Sequence, residues 1–494
     1  RRDCIRLTVQ QELTTNESTF APAAVVLRML LAPRFNPMKF ALALVVVLAL
    51  ALAVHAQELK SPNGALAVRL TLEAGALSYR IDHQGKPILD ASPLGLETSL
   101  GSFARGLTAA GSTTAAIDER YTLPHGKTRD VHYQANELTA RFTNANGDQL
   151  EGIFRVSDRD VAFAYRLSGP EKHRAIIQRE RTGFKFPAGA RAFVTSQAPA
   201  GSGWKATKPS YEEGYLMDVP VGTKSQHGLG FTFPALFRIG ADGWALVSET
   251  GVSSRYVGSR LGEPTADGLY PLAFPEPGEN GAVGDATVAA ALPLLTPWRT
   301  ITIGRTLAPI VETTVATDVV KPLYDASQVY RPGRATWSWL LWQDASMNEA
   351  MGYEFSLIDA LGDTGLGREK LAELVAAARR KNVGVLLWYN SNGHWNDAPQ
   401  TPRDRMDTAP ARQREMAWLR SIGVQGLKVD FFGGDKQATM KLYEDILTDA
   451  NAHGLVLNFH GATLPRGWER MYPNFMTSEA VTASENLVFS QGFA

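Results

Sequence analysis

Cysteine is all but absent: Cys4 is the sole one in 494 residues. No intramolecular disulfide and no cysteine-based zinc or iron–sulfur site can be built from it. Net charge is absent too, with 50 Lys+Arg against 50 Asp+Glu. That argues against nucleic-acid binding, which needs a basic surface to release counterions. Long apolar runs are also lacking. The longest, Ala41 to Val54, is short and alanine-rich for a membrane span. What is plentiful is core-forming material: 44% of residues are hydrophobic, enough to exclude a highly charged disordered chain. The length predicts roughly two to four domains.

Met38-Lys39-Phe40 precedes the apolar run, and Val54-His55-Ala56 closes it with small residues. A cationic start, an apolar middle and a small-residue end read as a secretory signal over 38–56, cleaved after Ala56. Residues 1–37 lie upstream of Met38 and are read as an extension outside the mature protein. The mature chain is then expected to be periplasmic or extracellular, with no membrane span.

From 57 to 319 the hydrophobic period is two. Leu66, Val68, Leu70 and Leu72 alternate, as do Leu77, Tyr79 and Ile81 before the turn at His83–Pro87. Val161, Phe163 and Tyr165 repeat the pattern, and Trp244, Leu246 and Ser248 are read the same way. Alternation punctuated by Gly, Pro and Asp predicts antiparallel strands and a large β-sandwich. From 320 to 494 the style changes to β–α repeats. Strands are expected at Thr336–Trp342, Tyr353–Ala360, Val383–Asn390, Val424–Phe432, Leu455–Gly461 and Phe475–Ala480. Helices are expected at Arg368–Lys381, with Leu371, Leu374, Val375 and Ala378 on one face, at Arg412–Ile422 and at Thr439–Ala452. The fold class expected is therefore α+β and multidomain: a sandwich followed by six strands of a (β/α)₈ barrel. The crossover between Trp342 and Tyr353 is shorter than such units need, and the last two units are missing, so a C-terminally truncated barrel is expected.

Barrel chemistry lies where strands end. Lys428 and Asp430 are two apart and share a strand face. An Asp at the mouth above a Lys suits a nucleophilic carboxylate, or equally a structural ion pair. His460, at the next strand end, could contact a sugar hydroxyl or be a satisfied core residue. Glu479 and Glu485 could supply oxygen ligands for a hard cation, and one of them a general acid, or both could be solvated. Asp359, Asp363, Asn390 and Asn392 add polar groups at the same rim. Trp337, Trp339, Trp388 and Trp395 could be sugar-stacking walls or packing. Carboxylates and tryptophans around one mouth suggest glycoside hydrolysis, which needs two carboxyl groups across the scissile bond.

These motifs resemble glycoside hydrolase family 97. The resemblance is carried by Arg331–Arg334 with Trp337-Ser338-Trp339, by Gly426–Phe432, and by Asn458–Gly461 through Pro465-Arg466-Gly467 and Tyr472-Pro473-Asn474 to Glu479. Ser61–Gly64 and Tyr211–Tyr215 carry it in the first region. It implies a β-super-sandwich, a (β/α)₈ barrel and a Ca²⁺ ion in the site. Asp430 matches the nucleophile of the retaining, α-galactosidase-like branch. Gly461 stands where the inverting branch has a Glu base. By the same match Glu485 is the general acid/base and a calcium contact, and Glu479 a calcium ligand. Glu212 is a further ligand, with Glu213 adjacent. Lys428, His460, Asp359, Asn390 and Trp337, from their places around the strand ends, are the candidate substrate contacts. The expected substrate is an α-linked oligosaccharide or galactoside. Alternatives are an α-glucosidase of the same family, a non-catalytic carbohydrate-binding protein or inactive fragment, and a metal-dependent lyase.

Overall fold

The computed structural model describes residues 55–241, 243–334, 367–391, 396, 398 and 401–483. The expected strands at Thr336–Trp342 and Tyr353–Ala360 lie outside them, as do Trp337, Asp359 and Glu485. The described residues from Ala56 onward form one compact unit.

Its first part is β-rich. His55–Lys60, Leu66–Glu73, Ala76–His83 and Lys86–Pro93 form one antiparallel sheet in chain order. Two-residue turns, Ala74-Gly75 and Gln84-Gly85, join three of these strands with both residues left-handed. That backbone twist matches the strands it connects. Leu66, Val68, Leu70 and Leu72 point inward as their alternation requires. Their partners come from a thirteen-stranded sheet, and together they enclose one core that includes Phe154, Val161, Phe163 and Tyr165.

Two strands of that sheet depart from simple alternation. In Asp160–Leu167, Val161, Phe163 and Tyr165 enter this core, while Ala162 and Ala164 enter a second core shared with the later domain. The strand is buried on both faces. In Gly243–Thr250 the inward residues are Ala245, Val247 and Glu249, with Trp244, Leu246 and Ser248 on the outer face. The expected register is therefore off by one. Sequence alternation favoured the larger residues, but the inward face must accept Glu249, which is buried beside Arg299. Arg299 sits in Trp298–Gly304, a strand buried along its whole length.

Near the end of the β-rich region the chain carries two short helices, Ala308–Glu312 and Val315–Asp318. Arg470 of the later domain donates to the Thr317 carbonyl at 3.0 Å. In that domain Leu386–Asn390, Gly426–Asp430, Val456–Phe459 and Phe475–Ser478 form a parallel sheet in chain order. Helices Gly367–Arg380, Ala409–Ile422 and Gln437–Ala452 lie among them in sequence. Leu371 and Val375 are buried on the first, whereas Leu374 stands 42% exposed. The second stops at Gly423, left-handed at φ 92°, as its sequence signals. Tyr443 anchors this core, stacked on Phe432 at 3.8 Å between ring centres and edge-on to Phe459. No helix of the described residues is long and apolar enough to cross a membrane.

Asp160 is fully buried and accepts hydrogen bonds from Thr302 and Thr313, both at 2.7 Å, and from Ser157 at 3.1 Å. Burial pushes its pKa up to about 6 from 3.8, against those hydroxyls. With the folded value above the unfolded one, its contribution is fully present below pH 3.8 and is lost as pH rises through about 6. Asp160→Asn should flatten the decline of Tm between roughly pH 4 and 7 that this carboxyl causes. Calorimetry across that window checks it; parallel curves for the two proteins would contradict it.

Candidate active site

Gly426–Asp430 is buried at every position, including its two charged residues. Burying a carboxylate is costly unless its lone pairs are occupied. Asp430, 8% exposed, meets that condition. The Phe431 backbone N–H donates to Oδ1 at 2.8 Å. Trp388 Nε1 donates to Oδ2 at 3.0 Å. Lys428 Nζ stands 3.8 Å from the same oxygen. The expected Lys–Asp pairing on one face is present.

Trp388 reaches Asp430 because Leu386–Asn390 runs parallel in register, placing it beside Lys428 and Asn390 beside Asp430. Trp388 is almost wholly buried and packs edge-on to Phe431, 5.7 Å between centres. Of the two readings open for Trp388, stacking wall or packing, its burial agrees with packing, and its indole N–H orients the carboxylate. Asn390 is buried next to Asp430.

On the other side, His460 and Glu479 follow the next two strands. His460 Nδ1 lies 2.8 Å from Glu479 Oε2. The Gly461 backbone N–H donates to that oxygen at 3.3 Å. Glu212, from the β-rich domain, joins Glu479 through a hydrogen bond between their carboxyl groups. Burial, then Glu479 and the charge of Asp430, push the Glu212 pKa up to about 9 against the pull of Lys208. The adjacent Glu213 pairs instead with Lys208. Of the two adjacent glutamates, Glu212 is the one set against Glu479.

Two carboxyl groups forced together need a proton or a cation between them. Among the described residues no group of three or more His, Cys, Asp or Glu is disposed to hold a metal ion. The Glu212–Glu479 pair nevertheless fits the chemistry of a hard, oxygen-seeking cation such as Ca²⁺, as part of a ligand set.

The backbone explains the convergence. Phe431 (φ 64°) follows Asp430, Gly461 (φ 45°) follows His460, Ala480 (φ 37°) follows Glu479, and Tyr211 (φ 66°) precedes Glu212. Each of these four residues is flanked by a left-handed one. At Phe431, Ala480 and Tyr211 that conformation costs about 1–3 kcal/mol each and persists only where the surroundings enforce it. It also ends the strand at Asp430, two residues short of expectation.

Gly461 has a further constraint. A Cβ there would lie 2.7 Å from Asp430 Oδ1 and 3.1 Å from the Phe431 nitrogen. A side chain at 461 and the observed Asp430 geometry exclude each other.

Two family descriptions match the chain: Glycosyl-hydrolase 97 N-terminal over residues 59–322 and Glycoside hydrolase 97 over 339–481. The chain belongs to glycoside hydrolase family 97. Within the family it is 29% identical, over 85% of its length, to a probable retaining α-galactosidase of Streptomyces bingchenggensis (strain BCW-1). It is 23% identical, over 87%, to a retaining α-galactosidase of Bacteroides thetaiotaomicron. The chain spans 64% of the first of these relatives and 68% of the second. A solved structure of a β-arabinopyranosidase is 52% identical, with TM-score 0.84, covering 88% of this chain and 72% of that one. A family 97 enzyme from Pseudoalteromonas sp. strain K8, solved with panose, shares the fold at 18% identity and TM-score 0.68, over 86% of this chain and 69% of that one.

Gly461→Ala should displace the Asp430 carboxylate or break its bond to Phe431 while leaving the parallel sheet in place. A crystal structure of the variant checks this; an unmoved Asp430 would contradict it.

Proposed function

We propose that this chain carries the catalytic part of an exported, exo-acting glycosidase for galacto-configured sugars. We read its β-rich domain (57–319) as a super-sandwich and the later domain (320–494) as a sector of a (β/α)₈ barrel. Asp430 is the nucleophile and Glu485, whose role rests on the family resemblance, the acid/base. The observation that carries the reading is Asp430 itself, a buried strand-end carboxylate oriented by two N–H donors with glycine opposite.

The reaction follows in two displacements. Asp430 attacks the anomeric carbon as the bond to the leaving oxygen breaks, and that oxygen takes the proton of Glu485. Water then attacks the glycosyl–Asp430 ester, giving a proton to Glu485 and restoring the original anomer. Two carboxyl groups acting without an intervening water stand about 5–5.5 Å apart. Lys428, His460, Asn390, Asp359 and Trp337 are proposed sugar contacts.

The ring substituent at C5 separates two readings. α-D-Galactopyranose and β-L-arabinopyranose share ring stereochemistry and differ by one hydroxymethyl group. The names of the two curated relatives favour the galactoside, and the 52% identical structure favours the arabinopyranoside. An α-glucoside requires the opposite configuration at C4 and is the less supported alternative. Paired rates on the three aryl glycosides decide among them.

Glu212, Glu479 and Glu485 would hold Ca²⁺, which supplies a fixed positive charge that orients sugar hydroxyls. Metal-free protein titrated with CaCl₂ should gain about 2.7 kcal/mol at a hundredfold excess over Kd, and Glu212→Gln should lose most of that gain. Equal stability with and without calcium would remove the ion from the account.

For the displacement steps, proton NMR of an aryl α-galactoside or β-L-arabinopyranoside digest should show release of the substrate's own anomeric configuration first. Asp430→Gly should lose at least about 10³-fold in turnover and recover with azide, yielding the inverted glycosyl azide. Initial release of the opposite anomer by the unaltered enzyme would overturn retention.

A further inference from the structure

Resting on that reading, we propose that Tyr211 and Arg466 are positioning residues: a buried ionic network between the two domains sets the carboxyl of Glu212 against Glu479. Tyr211 is buried, and its left-handed backbone aims the following residue, Glu212, into the site. An aromatic residue does not hold that conformation unaided. Its hydroxyl supplies the hold. It donates to Asp435 Oδ2 at 2.5 Å and accepts from Arg466 Nη2 at 2.7 Å.

Arg466 is wholly buried and itself left-handed. Its Nε donates to Glu249 Oε1 at 2.6 Å, and Nη1 donates to the Thr463 hydroxyl. Thr463 in turn donates to Asp435 Oδ1 at 2.5 Å. Glu249 is shared with Arg299 and Ser259, and Arg299 continues to Glu180 at 2.7 Å. The Asp435 main chain is pinned as well: its N–H donates to Glu279 Oε2 at 2.8 Å, and its carbonyl accepts from Gly258 at 2.9 Å.

The placement gives this network its function. Asp435 lies five residues beyond Asp430, and Thr463 and Arg466 three and six beyond His460. One set of bonds therefore locks three segments: that following the nucleophile, that following the histidine, and that carrying Glu212. A network that merely glued the domains would have no need of a strained residue next to the acid.

Two variants separate positioning from glue. Tyr211→Phe keeps the ring and deletes the hydroxyl. Ser259→Ala removes a hydroxyl from the same network at Glu249, on the β-rich side away from Glu212. Calorimetric Ca²⁺ titration of the substrate-free enzyme should show about tenfold weaker binding for Tyr211→Phe and a change within about twofold for Ser259→Ala, with similar losses in Tm. Arg466→Lys, which cannot bridge Glu249 and Tyr211 together, should behave as Tyr211→Phe does. Unchanged affinity in Tyr211→Phe, or equal weakening in Ser259→Ala, overturns the proposal. If the unaltered enzyme binds no calcium, the calcium reading fails by itself. The crystal structure of Tyr211→Phe then decides: Glu212 parted from Glu479 supports positioning, and an unmoved Glu212 refutes it.

Discussion

The site depends on the burial of a carboxylate at the end of a parallel strand. Asp430 is taken out of water, so each oxygen must find a donor nearby. The backbone turns left-handed at Phe431 to present one N–H, and the neighbouring strand presents Trp388 for the other. Gly461 is the steric counterpart of that arrangement, since a methyl group there would enter the space of Oδ1. Strand register, local strain and the absence of a side chain thus serve one oxygen pair.

The second theme is like charge. Glu212 and Glu479 come from different domains and meet as carboxyl groups. Nothing in apolar packing favours that meeting, so it must be imposed. Tyr211 on one side and the Ala480 backbone on the other impose it, with Arg466 and Arg299 fixing the sheets behind them. Breaking one partner of such a buried set leaves an uncompensated charge, which is why these networks constrain geometry strongly.

How far the sequence could be read follows from the range of the interactions involved. Local signals were legible: a helix ending before Gly423, the turn at His83–Pro87, and Lys428 with Asp430 on one face. Alternation failed at Trp244–Ser248, because the identity of the inward face was decided by Glu249 and its partners rather than by residue size. The network was invisible for the same reason. Arg466 meets Glu249 across 217 residues and Tyr211 across 255, and no local pattern encodes such a pairing. Glu212 and Glu213 were equivalent as letters; in the structure Glu213 pairs with Lys208, while Glu212 faces Glu479. The family resemblance supplied the expectations for Asp430, Glu479 and Glu212, and the geometry shows the backbone turns and hydrogen bonds that hold these residues.

The central claim is that Asp430 becomes covalently bonded to the sugar. It is tested most directly by treating the enzyme with 5-fluoro-α-D-galactosyl fluoride or its arabinopyranosyl counterpart, digesting it, and locating the label by mass spectrometry. The account predicts a glycosyl ester on the peptide containing Gly426–Asp430, abolished in Asp430→Gly. A label on another carboxylate, in an enzyme that turns over the parent sugar, would contradict it.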